Sequence, residues 1–263
     1  MSQSFSTLSV SDDLQHIIVL RLNRASVCNA INFVMMQELL SFWRTVSASK
    51  QLRAVIITGE GEKAFCAGAD LKERNGMSLS TWQSQHAVLQ QAMLAMIQCP
   101  LPIIAAVNGV AYGGGLELVL ASDFAYCAEH AVFSQSEVKL GIMPGAMGTQ
   151  NLPRAVGLRR SKELTFTGEA FTAQQALSWG VVNQVVPADQ LQNAVVNTAQ
   201  KITRNAPIAV RQAKRSINQA WATDIAAGYR GEVDAYNQLL ATSDRVEGIR
   251  AFNEKRMPDF SGE

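Results

Sequence analysis

Ile103-Ile104-Ala105-Ala106-Val107-Asn108-Gly109-Val110-Ala111-Tyr112-Gly113-Gly114-Gly115-Leu116-Glu117 carries an apolar strand, across three consecutive glycines, into an apolar helix that runs on to about Ala121. A helix N-terminus with no side chains in front of it suits an anion or a developing oxyanion. Taken alone, a triple glycine more often marks close packing. The spacing is no dinucleotide fingerprint: with Gly113 and Gly115 as the first pair of GxGxxG, the third position is Leu118. No GK[ST] follows for a phosphate loop.

Working outward, the alternation continues on both sides. His16 to Leu22 and Arg53 to Thr58 are short β-rich runs. Between them Met36, Leu39, Leu40, Trp43 and Val46 recur at helical spacing behind a cap at Asn32. A second helix is expected from Ser80 to Gln98, stopped by Cys99-Pro100. Strand-like residues follow at Phe124 to Cys127 and at Val132 to Phe133. Residues 1–187 therefore predict an α/β core. Beyond it, Asp189 to Arg204, Pro207 to Trp221 and Asp224 to Leu240 predict helices, with Pro207 suited to a first helical position. Residues 188–263 form a helical section that packs on its own core or on another subunit.

Composition excludes several classes. The 23 Lys+Arg nearly cancel the 22 Asp+Glu, so no global field draws the chain to nucleic acid or an anionic membrane. The Ser-rich start, Met1 to Asp13, lacks the basic and apolar regions of a signal peptide. No apolar run reaches the roughly 18 residues of a membrane span. Cys28, Cys66, Cys99 and Cys127 show no CxxC spacing and read as free thiols in a reducing compartment, the cytoplasm. His16, His86 and His130 form no HxxxH or HExxH pattern, so a metal site has no support.

Two further features bear on chemistry. Phe65-Cys66-Ala67-Gly68-Ala69-Asp70-Leu71-Lys72 is a run of small residues that lets a backbone approach a ligand, although alone it reads as a turn. Glu117 lies in an otherwise apolar run, and Glu137 follows Ser134-Gln135-Ser136. A carboxylate in an apolar segment costs free energy unless it is paired or used. For either Glu separately, a paired or solvated role is the default.

Taken together and in order, the strings Ala64 to Glu73, Ile104 to Glu117, and Gln135-x-Glu137 with Pro144-Gly145-Ala146-x-Gly148-Thr149-Gln150 resemble the signatures of the enoyl-CoA hydratases of the crotonase superfamily. The likeness runs from about residue 8 through Leu22-Asn23-Arg24 and Asn29-Ala30 to Glu247 through Arg256. It implies a crotonase-like spiral of repeated ββα units, a homotrimer or a hexamer built as a dimer of trimers, and an acyl-CoA thioester substrate. It implies an oxyanion hole from the amides of Ala69 and Gly114, with Glu117 and Glu137 as the acid/base pair. It implies substrate and CoA contacts from Ser26, Val27, Cys28, Ala67, Gly68, Asp70, Leu71, Gly113, Pro144, Gly145, Phe252 and Lys255, the last two often reaching a neighbouring subunit. Hydration needs no cofactor and no metal beyond the CoA of the substrate. Double-bond isomerases of the superfamily commonly keep the residue at the place of Glu137 but not that of Glu117; both stand here. Phe65 to Arg74 and the ending Asp244 to Glu263 also resemble methylglutaconyl-CoA hydratases, some relatives of which associate with RNA. Three departures stand out: Ala25 follows Asn23-Arg24 where proline is usual, Val27-Cys28 replaces a basic residue, and Met147 replaces a glycine.

Overall fold

The computed structural model describes residues 4–220 and 222–263. Strands β1 (Leu8–Leu14) and β2 (Ile17–Leu22) form an antiparallel hairpin, and α1 (Phe33–Ser47) follows. The cap at Asn32 is present, its side chain accepting from Met35 N at 3.0 Å. The buried face of α1 carries Met35, Met36, Leu39, Phe42, Trp43 and Val46, the i, i+3, i+4 recurrence of an amphipathic helix.

Next come β3 (Ala54–Gly59), β4 (Ala64–Cys66), the single turn α2 (Leu71–Arg74) and α3 (Leu79–Ile97). The pattern recurs with β5 (Ile103–Val107), β6 (Val110–Tyr112) and α4 (Gly114–Ala121), and then with β7 (Phe124–Ala128) and β8 (Val132–Ser134). Within each repeat the first strand enters a six-stranded sheet, ordered β1-β2-β3-β5-β7 and closed by β10 (Gln184–Val186). The second strand enters a four-stranded sheet, ordered β4-β6-β8 and closed by β9 (Ala170–Thr172). Before β9 stand α5 (Gly148–Val156) and α6 (Leu158–Thr167), and after it α7 (Ala173–Trp179). This is the expected chain of ββα units, and the two sheets are joined at every repeat by a short loop.

Every residue of β3 and of β5 is buried, because these central parallel strands are covered on both faces. One core lies between the large sheet, α1, α3 and the small sheet. The other lies on the opposite face, where Leu191, Val195 and Ala199 of α8 (Leu191–Thr203) meet Val19, Ile56 and Ile104. Each such Val, Leu or Ile side chain removed from water contributes roughly 1.5–3 kcal/mol.

Helices α9 (Pro207–Gln219), α10 (Ile225–Asn237) and α11 (Ser243–Asn253) complete the chain, and no strand follows Val186 among the described residues. Pro207 occupies the first turn of α9 as expected; the predicted helix end at Trp221 lies outside the described residues, as do Met1 to Gln3. Buried Asp244 accepts from the amides of Ser261 at 2.8 Å and Gly262 at 3.1 Å, and Arg53 donates to Thr203 O and Phe260 O, which ties the C-terminal segment to the sheet. Of the four thiols, Cys28 is exposed and Cys66, Cys99 and Cys127 are buried.

Candidate active site

The loop after β4 and the start of α4 are pressed together. Gly68 has φ +89°, and a Cβ there would lie 2.8 Å from Tyr112 O. At Gly115 a Cβ would stand 2.1 Å from Cys66 O, so only glycine permits this approach of backbone to backbone. Within the loop Ala67 N donates to Cys28 O, Asp70 N to Ile31 O, and Gly68 O accepts from Ile31 N. The Ala69 amide between them enters none of these bonds. Gly113 N donates to Ser134 O at 2.8 Å, whereas the Gly114 amide opens α4 and has no carbonyl one turn behind it. Two small-residue amides, Ala69 and Gly114, are thus free of loop and cap partners and line one cleft of about 820 Å³.

Both carboxylates reach the same cleft. Glu117, in the first turn of α4, is 3% exposed and accepts on Oε1 from Ala146 N at 2.7 Å and Gly148 N at 2.8 Å. Gly148 is obligatory at that distance, since a Cβ would stand 2.9 Å from both Glu117 Oε1 and Gln135 Oε1. Met147, the departure noted in the sequence, adopts φ +76° between the two donating residues, a conformation a glycine takes without strain. Glu137 opens a short 3-10 turn and holds both oxygens on Gln135 Nε2, at 2.9 and 3.0 Å. Gln135 Oε1 is buried and has no hydrogen-bond partner among the described residues.

Burial pushes the Glu117 carboxyl up to about 7, the Gly148 amide opposing it and the nearby Glu137 reinforcing it. Burial also raises Glu137, against the pull of Gln135 and of the Arg74 guanidinium. The like charge of Glu137 thus adds to burial in favouring the protonated form of Glu117. The arrangement can offer a base and an acid beside a pair of fixed N–H donors.

Of the residues singled out in the sequence, Ala67, Gly68, Ala69, Leu71, Gly113, Gly114, Glu117, Glu137, Pro144 and Gly145 line this cleft together. Asp70 turns away from it, capping α2 and pairing with Arg24 at 2.9 Å. Ser26, Val27 and Cys28 form the adjoining turn, touching the site through the Cys28 O–Ala67 N bond. Phe252 and Lys255 lie at the end of α11, outside the cleft, with Phe252 83% exposed. The cleft also contains residues that sequence reasoning did not single out: Arg74, Trp82 and His86. His86 Nε2 lies 3.0 Å from Gly145 O, holding the loop that carries the Glu117 donors. No group of three or more His, Cys, Asp or Glu that could hold a metal occurs among the described residues.

The enoyl-CoA hydratase/isomerase family model matches residues 12–263. The chain belongs to the enoyl-CoA hydratase/isomerase family. Within that family, the chain is 42% identical over 248 residues to YngF of Bacillus subtilis (strain 168), provisionally named an enoyl-CoA hydratase/isomerase, with 94% of this chain and 95% of that protein covered. It is 37% identical to the mitochondrial methylglutaconyl-CoA hydratase of Mus musculus, across 97% of this chain and 82% of the relative. The crystal structure of enoyl-CoA hydratase from Bacillus anthracis superposes with a TM-score of 0.96 at 43% identity, covering 98% of this chain and all of that one. The fold is therefore that of the crotonases, with its helical C-terminal section. No helix among the described residues is long and apolar enough to cross a membrane.

Proposed function

We propose that this enoyl-CoA hydratase/isomerase family member adds water reversibly, in syn fashion, across the double bond of a 2-enoyl-CoA. The observation that carries the proposal is the meeting of Glu117 and Glu137 in one cleft with the unengaged amides of Ala69 and Gly114. The thioester carbonyl accepts from those two amides. As water oxygen bonds to C3, the π electrons move onto C2 and the carbonyl oxygen, and donors already aimed at that oxygen lower the barrier by about 3–4 kcal/mol each.

Glu117 is the base. It acts as the carboxylate, which the amides of Ala146 and Gly148 on Oε1 support against the larger effect of burial, and Oε2 is left to take the water proton. Glu137, in its protonated form, delivers a proton to C2, so the pair ends with as many protons as it began with. Gln135 Oε1, the unpartnered buried acceptor, can accept a hydrogen bond from the O–H that the water keeps as it becomes the hydroxyl on C3. No electron leaves the substrate, so the step calls for no redox cofactor.

Loss of the enoyl absorbance of crotonyl-CoA on mixing with the protein tests the proposal. Glu117→Gln should lower the hydration rate at least about a hundredfold, the effect of removing a general base. An unchanged rate in that variant removes Glu117 from the mechanism. Double-bond migration without hydration would instead identify an isomerase.

A further inference from the structure

The two amides that hold Glu117 differ in what engages them from behind. Ala146 N donates to Glu117 Oε1 at 2.7 Å, and the carbonyl of that same peptide group, Gly145 O, faces His86 Nε2 at 3.0 Å. The peptide is trans, so imidazole and carboxylate stand at opposite edges of one planar amide. Gly148 N donates at 2.8 Å, and its peptide oxygen, Met147 O, accepts from Gln150 N and Asn151 N in the first turn of α5. Each donor is thus polarised through its own carbonyl, one by backbone and one by a side chain.

The contact fixes the proton of the ring. A carbonyl oxygen only accepts, so Nε2 of His86 carries the hydrogen and Nδ1 is left as an acceptor. Gln90, one helical turn further along α3, meets that acceptor with its Nε2 at 3.3 Å. Glycine at 145 is part of the fit, since a Cβ there would stand 2.7 Å from His86 Nε2. A hydrogen bond accepted by an amide oxygen makes the N–H of the same amide a stronger donor, by roughly 10–30%. A stronger donor on Oε1 favours the carboxylate of Glu117, which burial opposes.

We propose that His86 is a positioning residue for the general base: through the Gly145–Ala146 peptide it both places the Ala146 N–H and strengthens its hold on the Glu117 carboxylate. The catalytic meaning of this link rests on the hydratase reading of the cleft, while the link itself does not. The other titratable or charged side chains of the cleft are Arg74, Tyr112, Glu137 and Lys139. Glu137 acts on Glu117 directly and Arg74 acts on Glu137, so the titration is run with all four present and again with Glu137→Gln.

The protonated Glu117 carboxyl is followed across pH by its infrared C=O stretch, assigned by its loss in Glu117→Gln. His86→Phe fills the space of the ring without a donor, and His86→Gln keeps a donor without the ring. The titration midpoint should rise by about half a pH unit in H86F and stay within about 0.2 unit of wild type in H86Q, in either background. On crotonyl-CoA, kcat should fall in H86F and return in H86Q, with KM little changed in either. His86→Leu repeats the first arm with a smaller side chain should phenylalanine prevent folding.

A midpoint in H86F equal to that of wild type overturns the inference. So does an H86Q midpoint displaced as far as that of H86F, since packing rather than the donated bond would then hold the loop. A shift that vanishes with Glu137→Gln would assign the effect to the second carboxyl and overturn it as well. The expected midpoint shifts without hydration of crotonyl-CoA would sink the hydratase reading and leave the peptide link standing.

Discussion

Glu117 illustrates how one side chain couples chemistry to stability. Its carboxyl titrates at about 7 in the fold against an ordinary 4.5, so the folded protein binds that proton more tightly than the unfolded chain does. Stability therefore falls as pH rises from about 4.5 through about 7, and the cost is fully expressed above that window. Glutamine at this position has no proton to lose. Denaturant melts should show Glu117→Gln gaining on wild type across that interval, by at most about 3 kcal/mol, and holding the gain at pH 8. A difference between the two that does not change with pH would mean that the carboxylate is not desolvated as described. On the expected outcome the variant is the more stable protein at neutral pH and the poorer catalyst, the trade expected where a buried charge is kept for chemistry.

At the scale of elements, the site depends on a loop outside the repeats that a helix of one repeat holds in place. His86 of α3 meets Gly145 O, and the following residues deliver the Ala146 and Gly148 amides to Glu117. Met147, at positive φ between those amides, adds strain that the loop must carry. Removing the tie in His86→Ala should lower kcat about tenfold with little change in KM, while His86→Gln, which can still donate to Gly145 O, should recover most of it; steady-state kinetics on crotonyl-CoA decides this. Much of the surrounding architecture was legible in the sequence. The strands β3 and β5 show as unbroken apolar runs because both of their faces are covered, and α1 shows through its cap and its spacing. The four-stranded sheet was only partly legible: β4, β6, β8 and β9 have three residues each, too few for alternation to register. Nor could spacing bring Glu117 to Glu137, since that meeting depends on the path of β7 and β8. Arg74 and His86 were silent for a related reason, as each sits on a helical stretch whose polar residues read as a solvated face.

At the scale of the whole molecule, several large apolar side chains of the C-terminal helices stand exposed. Ile225, Tyr229 and Tyr236 of α10 and Phe252 near the end of α11 are 91%, 64%, 62% and 83% exposed. Apolar patches of this kind mark association surfaces. Sedimentation should give a mass that is a multiple of 28.5 kDa, and Tyr229→Asp should shift the distribution toward the single chain. Sedimentation of wild type as a single chain at micromolar concentration would refute this. A different property follows from the thiols. Burial pushes Cys66 and Cys127 up to about 12, so those two sulfurs stay protonated at neutral pH, and Cys99 is sealed in the core out of reach of electrophiles. Cys28 alone faces solvent, one hydrogen bond away from the loop that carries Ala69. The native chain thus comes with a built-in attachment point for a maleimide dye, whose emission could report occupancy of the cleft without any engineered cysteine.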